Sequence, residues 1–150
     1  MIQRVQSLYL LFAALVQVIF ATGTYFTYQL TDVSYCVTGS GVFNSSGEKI
    51  GGDMKTLILG IGISLLALIS IFLFKNRKQQ IKLSRIGGLL TMAEIVFVII
   101  SYVKVKELPI NNVSIGYVNF ILPISTLLFF LAAKAVKKDD ELVRSVDRIR

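Results

Sequence analysis

The sequence has no histidine, no tryptophan, one cysteine and two prolines among its 150 residues. Without histidine, Ser/His/Asp and Cys/His catalysis are excluded, and zinc or haem has almost no ligands to draw on. The lone Cys36 excludes an intrachain disulfide and a dithiol redox pair. Phosphate-binding signatures are missing as well. "GEKIGGDMKT" brings glycines close to Lys55 and Thr56 but lacks the Gly-Lys pair of a P-loop, and the short "GIG" and "GSG" stretches stand in no strand-turn-helix context. The expectation is a protein that is not an enzyme, with no cofactor and no metal.

Charge is also scarce over long stretches. Ser7–Thr31, Thr56–Phe74, Ile86–Val103 and Leu108–Ala133 contain a single formal charge between them, Glu94, and together hold more than half of the chain. Each reaches the roughly 17–25 residues that a helix needs to cross a bilayer. Little sequence remains for a soluble core. The fold class predicted is all-α: a four-transmembrane-helix bundle in one membrane domain, with spans at 8–28, 56–74, 86–103 and 114–133. The first run continues through Tyr25, Phe26 and Tyr28, longer than a signal-peptide core, so it is expected to be retained as a span.

What is present in excess is positive charge, a net +7. The basic residues flank the apolar blocks and form no stripe with interleaved aromatics, which argues against nucleic acid and for membrane orientation. Twelve of the sixteen fall at Arg4, in the loop 75–85 ("KNRKQQIKLSR" with Phe74 before it), and in the tail 134–150. The other four are Lys49, Lys55, Lys104 and Lys106. Because basic loops resist translocation, the side with twelve is expected in the cytoplasm, with both termini there. The loop 29–55 then lies outside. Its "TDVSYCV" alternates and is rich in β-branched residues, and "TGSG" and "NSSG" are turn chemistry, so a small β-hairpin or ribbon is expected. Between spans three and four, "KVKELPINN" is expected to turn at Pro109.

The tail has neither Gly nor Pro, and span four is expected to continue through it as a helix. Leu142, Val143, Val146 and Ile149 recur on one face, and two readings of that edge stand level: a solvated helical end packed on the loop 75–85, or a helix that docks a partner or the membrane surface.

Glu94 lies near the centre of the third block. A charge at that depth costs about 2.5–3.5 kcal/mol on insertion scales. Ten Leu, Ile, Val and Phe residues in the same block return about 0.3–0.6 kcal/mol each, so the span inserts. No Lys or Arg lies within any block to pair with the acid, so it is expected to serve as a hydrogen-bonding group. Gln17, Ser64 and Ser125 fall at similar depth in the other three spans. The expectation is an intramembrane polar layer in which Gln17 bonds Glu94, with Ser64 or Ser125 nearby. Structural glue is the leading reading of Glu94. A proton or cation site in a carrier is the alternative, supported by Pro123, which frees a backbone carbonyl at nearly the same depth.

The opening "MIQRVQSLYLLFAA" and the closing "KKDDELVRSVDRIR" resemble a family of small bacterial integral membrane proteins of unknown function. The resemblance covers the whole chain, and its specific residues are Met1–Arg4, Gln6 and Leu8–Leu11, then Leu142, Val143, Ser145, Asp147, Arg148 and Arg150. It implies a bacterial inner membrane and supplies no catalytic residues. Its characteristic positions cluster at the cytoplasmic ends, implying that Gln3, Arg4 and Gln6 meet Asp147 and Arg148. Joined to the tail face of Leu142, Val143, Val146 and Ile149 read from spacing, these give the expected cytoplasmic docking surface of Arg4, Leu142, Val143, Val146, Asp147, Arg148 and Ile149. The function expected is a non-enzymatic subunit or scaffold of an inner-membrane assembly, docking partners through its cytoplasmic tail, with the outer loop as a second candidate contact, and with the lipid bilayer and a membrane-protein partner or a second copy as its contacts. A small proton-coupled carrier or channel component using Glu94 is the alternative.

Overall fold

Gly23 ends the first helix. Helix α1 (Val5–Thr22) stops where the Gly23 amide bonds Phe20 O at 3.1 Å, and the next residues, Thr24, Tyr25, Phe26, Thr27 and Tyr28, are β-branched or aromatic and run on as strand β1 (Thr24–Leu30). The first span expected at 8–28 is therefore corrected at its far end, because apolarity alone does not separate the last helical turn from an apolar strand. The structure, a computed structural model, describes residues 5–30, 33–74, 76–107, 110 and 112–147, with the backbone alone for Arg144, Val146 and Asp147. Gln3, Arg4, Pro109, Arg148 and Ile149 lie outside these residues.

Strands β1, β2 (Val33–Thr38), β3 (Gly41–Asn44) and β4 (Lys49–Gly51) form an antiparallel meander. Its last turn is set by Asn44, whose side-chain oxygen accepts from the Ser46 amide at 3.1 Å and the Glu48 amide at 2.8 Å, while Gly47 takes the left-handed conformation (φ +80°). A fifth strand, β5 (Asn112–Ile115), comes from the link before the last helix and pairs with β1. The sheet order is β4-β3-β2-β1-β5. The ribbon expected from the sequence is thus larger, and one edge is supplied by residues far along the chain.

The other helices are α2 (Lys55–Phe72), α3 (Arg77–Lys106) and α4 (Val118–Asp147). The Leu57 amide bonds Gly39 O at 3.1 Å, so the tip of the β2–β3 hairpin caps the start of α2. The basic segment read as a loop over 75–85 is helical from Arg77 onward, begun by Asn76, whose side chain accepts from the Gln79 amide. At about 1.5 Å per residue, α3 and α4 are about 45 Å long, well beyond a hydrocarbon core of about 30 Å. Each of the four helices is long and apolar enough to span a membrane. They run alternately up and down as a ring in which α1 packs on α2 and α4, and α3 on the same two neighbours. All carry the sheet at one common end.

The distribution of side chains is inverted relative to a water-soluble bundle. Ala13, Ala14, Ala67, Ala132, Ser70, Ser84 and Thr91 are buried, whereas Ile58, Leu89, Phe120 and Leu127 are each more than 60% exposed. Small and polar residues line the helix contacts and large apolar ones face outward, the arrangement that lipid as solvent favours. At the α3–α4 contact the Phe130 ring lies over Gly88, where a Cβ would sit 3.0 Å from it, and the Phe129 ring covers Gly87. Leu10, Ile63 and Phe129 fill the middle of the bundle, and Phe20, Tyr25, Phe26 and Leu122 fill the junction with the sheet. There Asn119 of α4 donates to Tyr25 O and, at 3.1 Å, to Gly116 O, while the Gly116 amide bonds Tyr25 O at 2.8 Å. The start of α4 is thereby fastened to β1.

Candidate functional site

The interior face of α1 is the row Leu10, Ala13, Ala14, Gln17, Phe20 and Ala21, spaced by three and four residues. On α3 the corresponding row is Gly87, Gly88, Thr91 and Glu94. Both rows are made of small side chains apart from a few large anchors, and this lets the longer Gln17 and Glu94 reach toward one another across the ring. The Gln17 Nε2 donates to Glu94 Oε2. Ser125 Oγ on α4 donates to Gln17 Oε1 at 3.2 Å and lies 3.5 Å from Ala13 O. All three side chains are fully buried.

Ser64 is at the same level but is not joined to that chain of bonds. Its hydroxyl donates to Ala14 O at 3.2 Å, tying α2 to the α1 backbone. The structure therefore brings Gln17, Glu94 and Ser125 into direct contact and places Ser64 beside them. Pro123 lies inside α4, two residues before Ser125, so the Asn119 carbonyl lacks its usual helical donor.

Among the described residues, Glu94 engages one carboxylate oxygen only. Oε1 is buried without a hydrogen-bond partner and faces Gly60 of α2, where a Cβ would stand 3.1 Å from it and 2.8 Å from Ala21 Cβ. Glycine at 60 thus lets α2 approach both α1 and the acid. The Tyr25 hydroxyl is a second buried oxygen without a partner among the described residues, on a ring stacked against Phe20 with centroids 4.7 Å apart. Chemically, the layer is one acid held by an amide that is itself held by a hydroxyl, with one acceptor unspent. Among the described residues, no group of three His, Cys, Asp or Glu comes together as metal ligands would.

Several polar residues of the interior escaped the reading of the sequence. Thr126 Oγ1 on α4 meets Thr91 Oγ1 on α3 at 2.9 Å, a direct α3–α4 tie one turn before Glu94. Toward the basic end, Ser70, Gln80 and Ser84 are buried too. Stepping back from Glu94 by three and four residues reaches Thr91, Gly88, Gly87 and Ser84, so the signal was present once the basic segment is taken as helix.

At that basic end, Arg77 Nη1 donates to Asp139 O at 3.2 Å and its guanidinium stands 3.6 Å from the Asp139 carboxylate. The start of α3 is therefore joined to α4 beyond its apolar stretch. Past this point Leu142 and Val143 are exposed. Val146 and Asp147 continue the helix as backbone, whereas Arg4, Arg148 and Ile149 fall outside the described residues.

No match is found among curated proteins. Residues 2–149 match a family described as a domain of unknown function, DUF4293. With nearly the whole chain covered, and with four long apolar helices as its frame, the protein belongs to the DUF4293 family.

Proposed function

We propose that this protein is a non-enzymatic, multi-pass subunit or scaffold of a bacterial inner-membrane assembly, with the sheet outside, both termini in the cytoplasm, and partner contact through the end of α4. The observation that carries this reading is the continuation of α4 as a helix past the Arg77–Asp139 tie, where Leu142 and Val143 stand exposed amid charged neighbours. Apolar side chains on a charged helical end are suited to a partner helix or a second copy of this chain. The polar layer fits a structural part in this reading, since Gln17 and Ser125 hold Glu94 in a fully buried position. Mild-detergent purification tests it. A fixed partner or a defined oligomer that is lost on deleting residues 139–150 supports the reading, and a chain whose assembly state ignores that deletion contradicts it.

A second reading is a small proton-coupled carrier or channel component centred on Glu94. The buried Oε1, unengaged among the described residues, favours it. Flux into liposomes that depends on a proton gradient and is abolished by Glu94→Gln would support the carrier; flux indifferent to that change would remove it.

A further inference from the structure

Beneath the sheet, between α2 and α3, lies a cleft of about 510 Å³. Its α3 wall is Phe97, Ile100, Ser101, Lys104 and Val105, one helical face, and its α2 wall is Lys55, Thr56 and Leu59. Phe97 and Ile100 are 55% and 46% exposed, so the lower part opens sideways on the apolar outer surface of the bundle. The upper part is cationic. Lys55 and Lys104 line it, and the Lys49 side chain lies over Gly41 on the rim. The one carboxylate among the lining residues, Asp53, is bonded to Lys55. Lys104 has no ion-pair partner among the described residues.

The geometry has a lipid's dimensions. Seven residues separate Lys104 from Phe97, a descent of about 10 Å along the helix axis. That is the distance over which a phospholipid passes from its charged headgroup to the upper part of its acyl chains. We propose that the cleft binds one anionic glycerophospholipid from the leaflet on the sheet's side, its phosphate between Lys55 and Lys104 and one chain along Phe97 and Ile100. The proposal rests on the helices crossing the membrane, and does not depend on which compartment the sheet faces. A bound lipid wedged there would join the sheet to the outer ends of α2 and α3.

The natural absence of tryptophan permits a site-specific test. Phe97→Trp reports from the cleft, and Ile61→Trp, about half a turn of helix away from the cleft face of α2, reports from the ordinary lipid surface. Each variant of the full chain is placed in phosphatidylcholine bilayers with a small fraction of brominated phosphatidylglycerol or, separately, brominated phosphatidylcholine. The proposal expects Phe97→Trp to be quenched preferentially by the anionic lipid, Ile61→Trp to be quenched by both alike, and the preference to fall about fivefold for each of Lys55→Gln and Lys104→Gln. Soluble glycerol phosphate should leave the quenching unchanged. Equal quenching by both lipids at position 97, an anionic preference just as large at position 61, or displacement by glycerol phosphate overturns the lipid site. Absence of quenching at position 61 by either lipid instead removes the membrane-spanning reading itself. Native mass spectrometry of the unsubstituted chain from mixed lipid micelles provides the check free of a reporter. One phosphatidylglycerol retained, and lost in the double lysine variant, is the expected result; a bare chain overturns it.

Discussion

Gln17 on α1 and Glu94 on α3 meet across the diagonal of the helix ring, the amide of the one donating to the carboxylate of the other. In hydrocarbon, helices gain nothing from hiding apolar surface, because lipid tails are as apolar as leucine. Which helix faces which is then decided by close packing and by bonds of this kind. This tie joins helices on opposite corners of the ring, which share no packed face.

The pair should behave as a unit. In a double-mutant cycle of Gln17→Ala and Glu94→Ala, unfolding from bicelles should give a coupling of about 0.6–2 kcal/mol. Additive losses would show that the two side chains do not bond directly. Glu94→Gln keeps a hydrogen-bonding group in place and should cost less than Glu94→Ala.

Two neighbouring glycines on α2 should respond in opposite ways. A Cβ at Gly60 would press on Ala21 and Glu94, whereas no atom of the described residues lies within 4 Å of a Cβ at Gly62. Gly60→Ala should destabilise by about 1–3 kcal/mol through overpacking. Gly62→Ala should be neutral or stabilising by up to about 1 kcal/mol, since alanine is the better helix former. Equal effects at the two positions would contradict the close approach of α1 and α2.

Asn119 holds the start of α4 to the sheet through two bonds, to Tyr25 O and Gly116 O. Asn119→Ala leaves those carbonyls without this donor and should cost about 1–3 kcal/mol. Hydrogen exchange should accelerate at β5 and the first turn of α4 before the rest of the bundle. Uniform acceleration through all four helices would contradict that local role.

At the sheet end, the Lys55 ammonium bonds Asp53 and holds its carboxyl below the ordinary aspartate range, with a weaker contribution from Lys49. A folded-state pKa below the unfolded one means that the folded chain binds fewer protons. The contribution to stability is therefore present above the ordinary aspartate value and fades as pH falls through the lowered one. Both side chains are largely exposed, so the effect on stability should be slight. An NMR titration should place the Asp53 midpoint below that of a free aspartate, and Lys55→Gln should raise it. A midpoint unmoved by that substitution would contradict the pairing.

The four helices were legible because their apolar blocks are long and nearly uncharged, and because hydrocarbon admits few other structures of that length. Their ends were less so. "TGTYFTYQL" is apolar enough to extend a span, yet Gly23 followed by an unbroken run of aromatic and β-branched residues is strand chemistry, and the chain takes that course from Thr24. The "NRKQQIKLSR" segment reads as a basic loop until Asn76 is seen as a cap, after which Gln80 and Ser84 fall on the buried face of α3. Strand β5 left almost no local trace, since four residues after a turn become a strand only by meeting β1 some 85 positions earlier: Ser114 lies opposite Thr27 and Val113 opposite Tyr28. The polar layer was legible as a coincidence of depth in four blocks. That Ser125 bonds Gln17 while Ser64 bonds the α1 backbone depends on helix rotation, which an apolar surround does not encode.

Everything proposed depends on four crossings that leave the sheet and the basic helix ends in different compartments. Cysteine labelling measures this most directly. In a Cys36→Ala background, Ser46→Cys and Lys78→Cys place single thiols at exposed positions on the sheet and at the start of α3. An impermeant maleimide applied to intact spheroplasts should label position 46 at once and position 78 only after the membrane is opened. Labelling of both before opening, or of neither, would contradict a chain threaded four times through the bilayer.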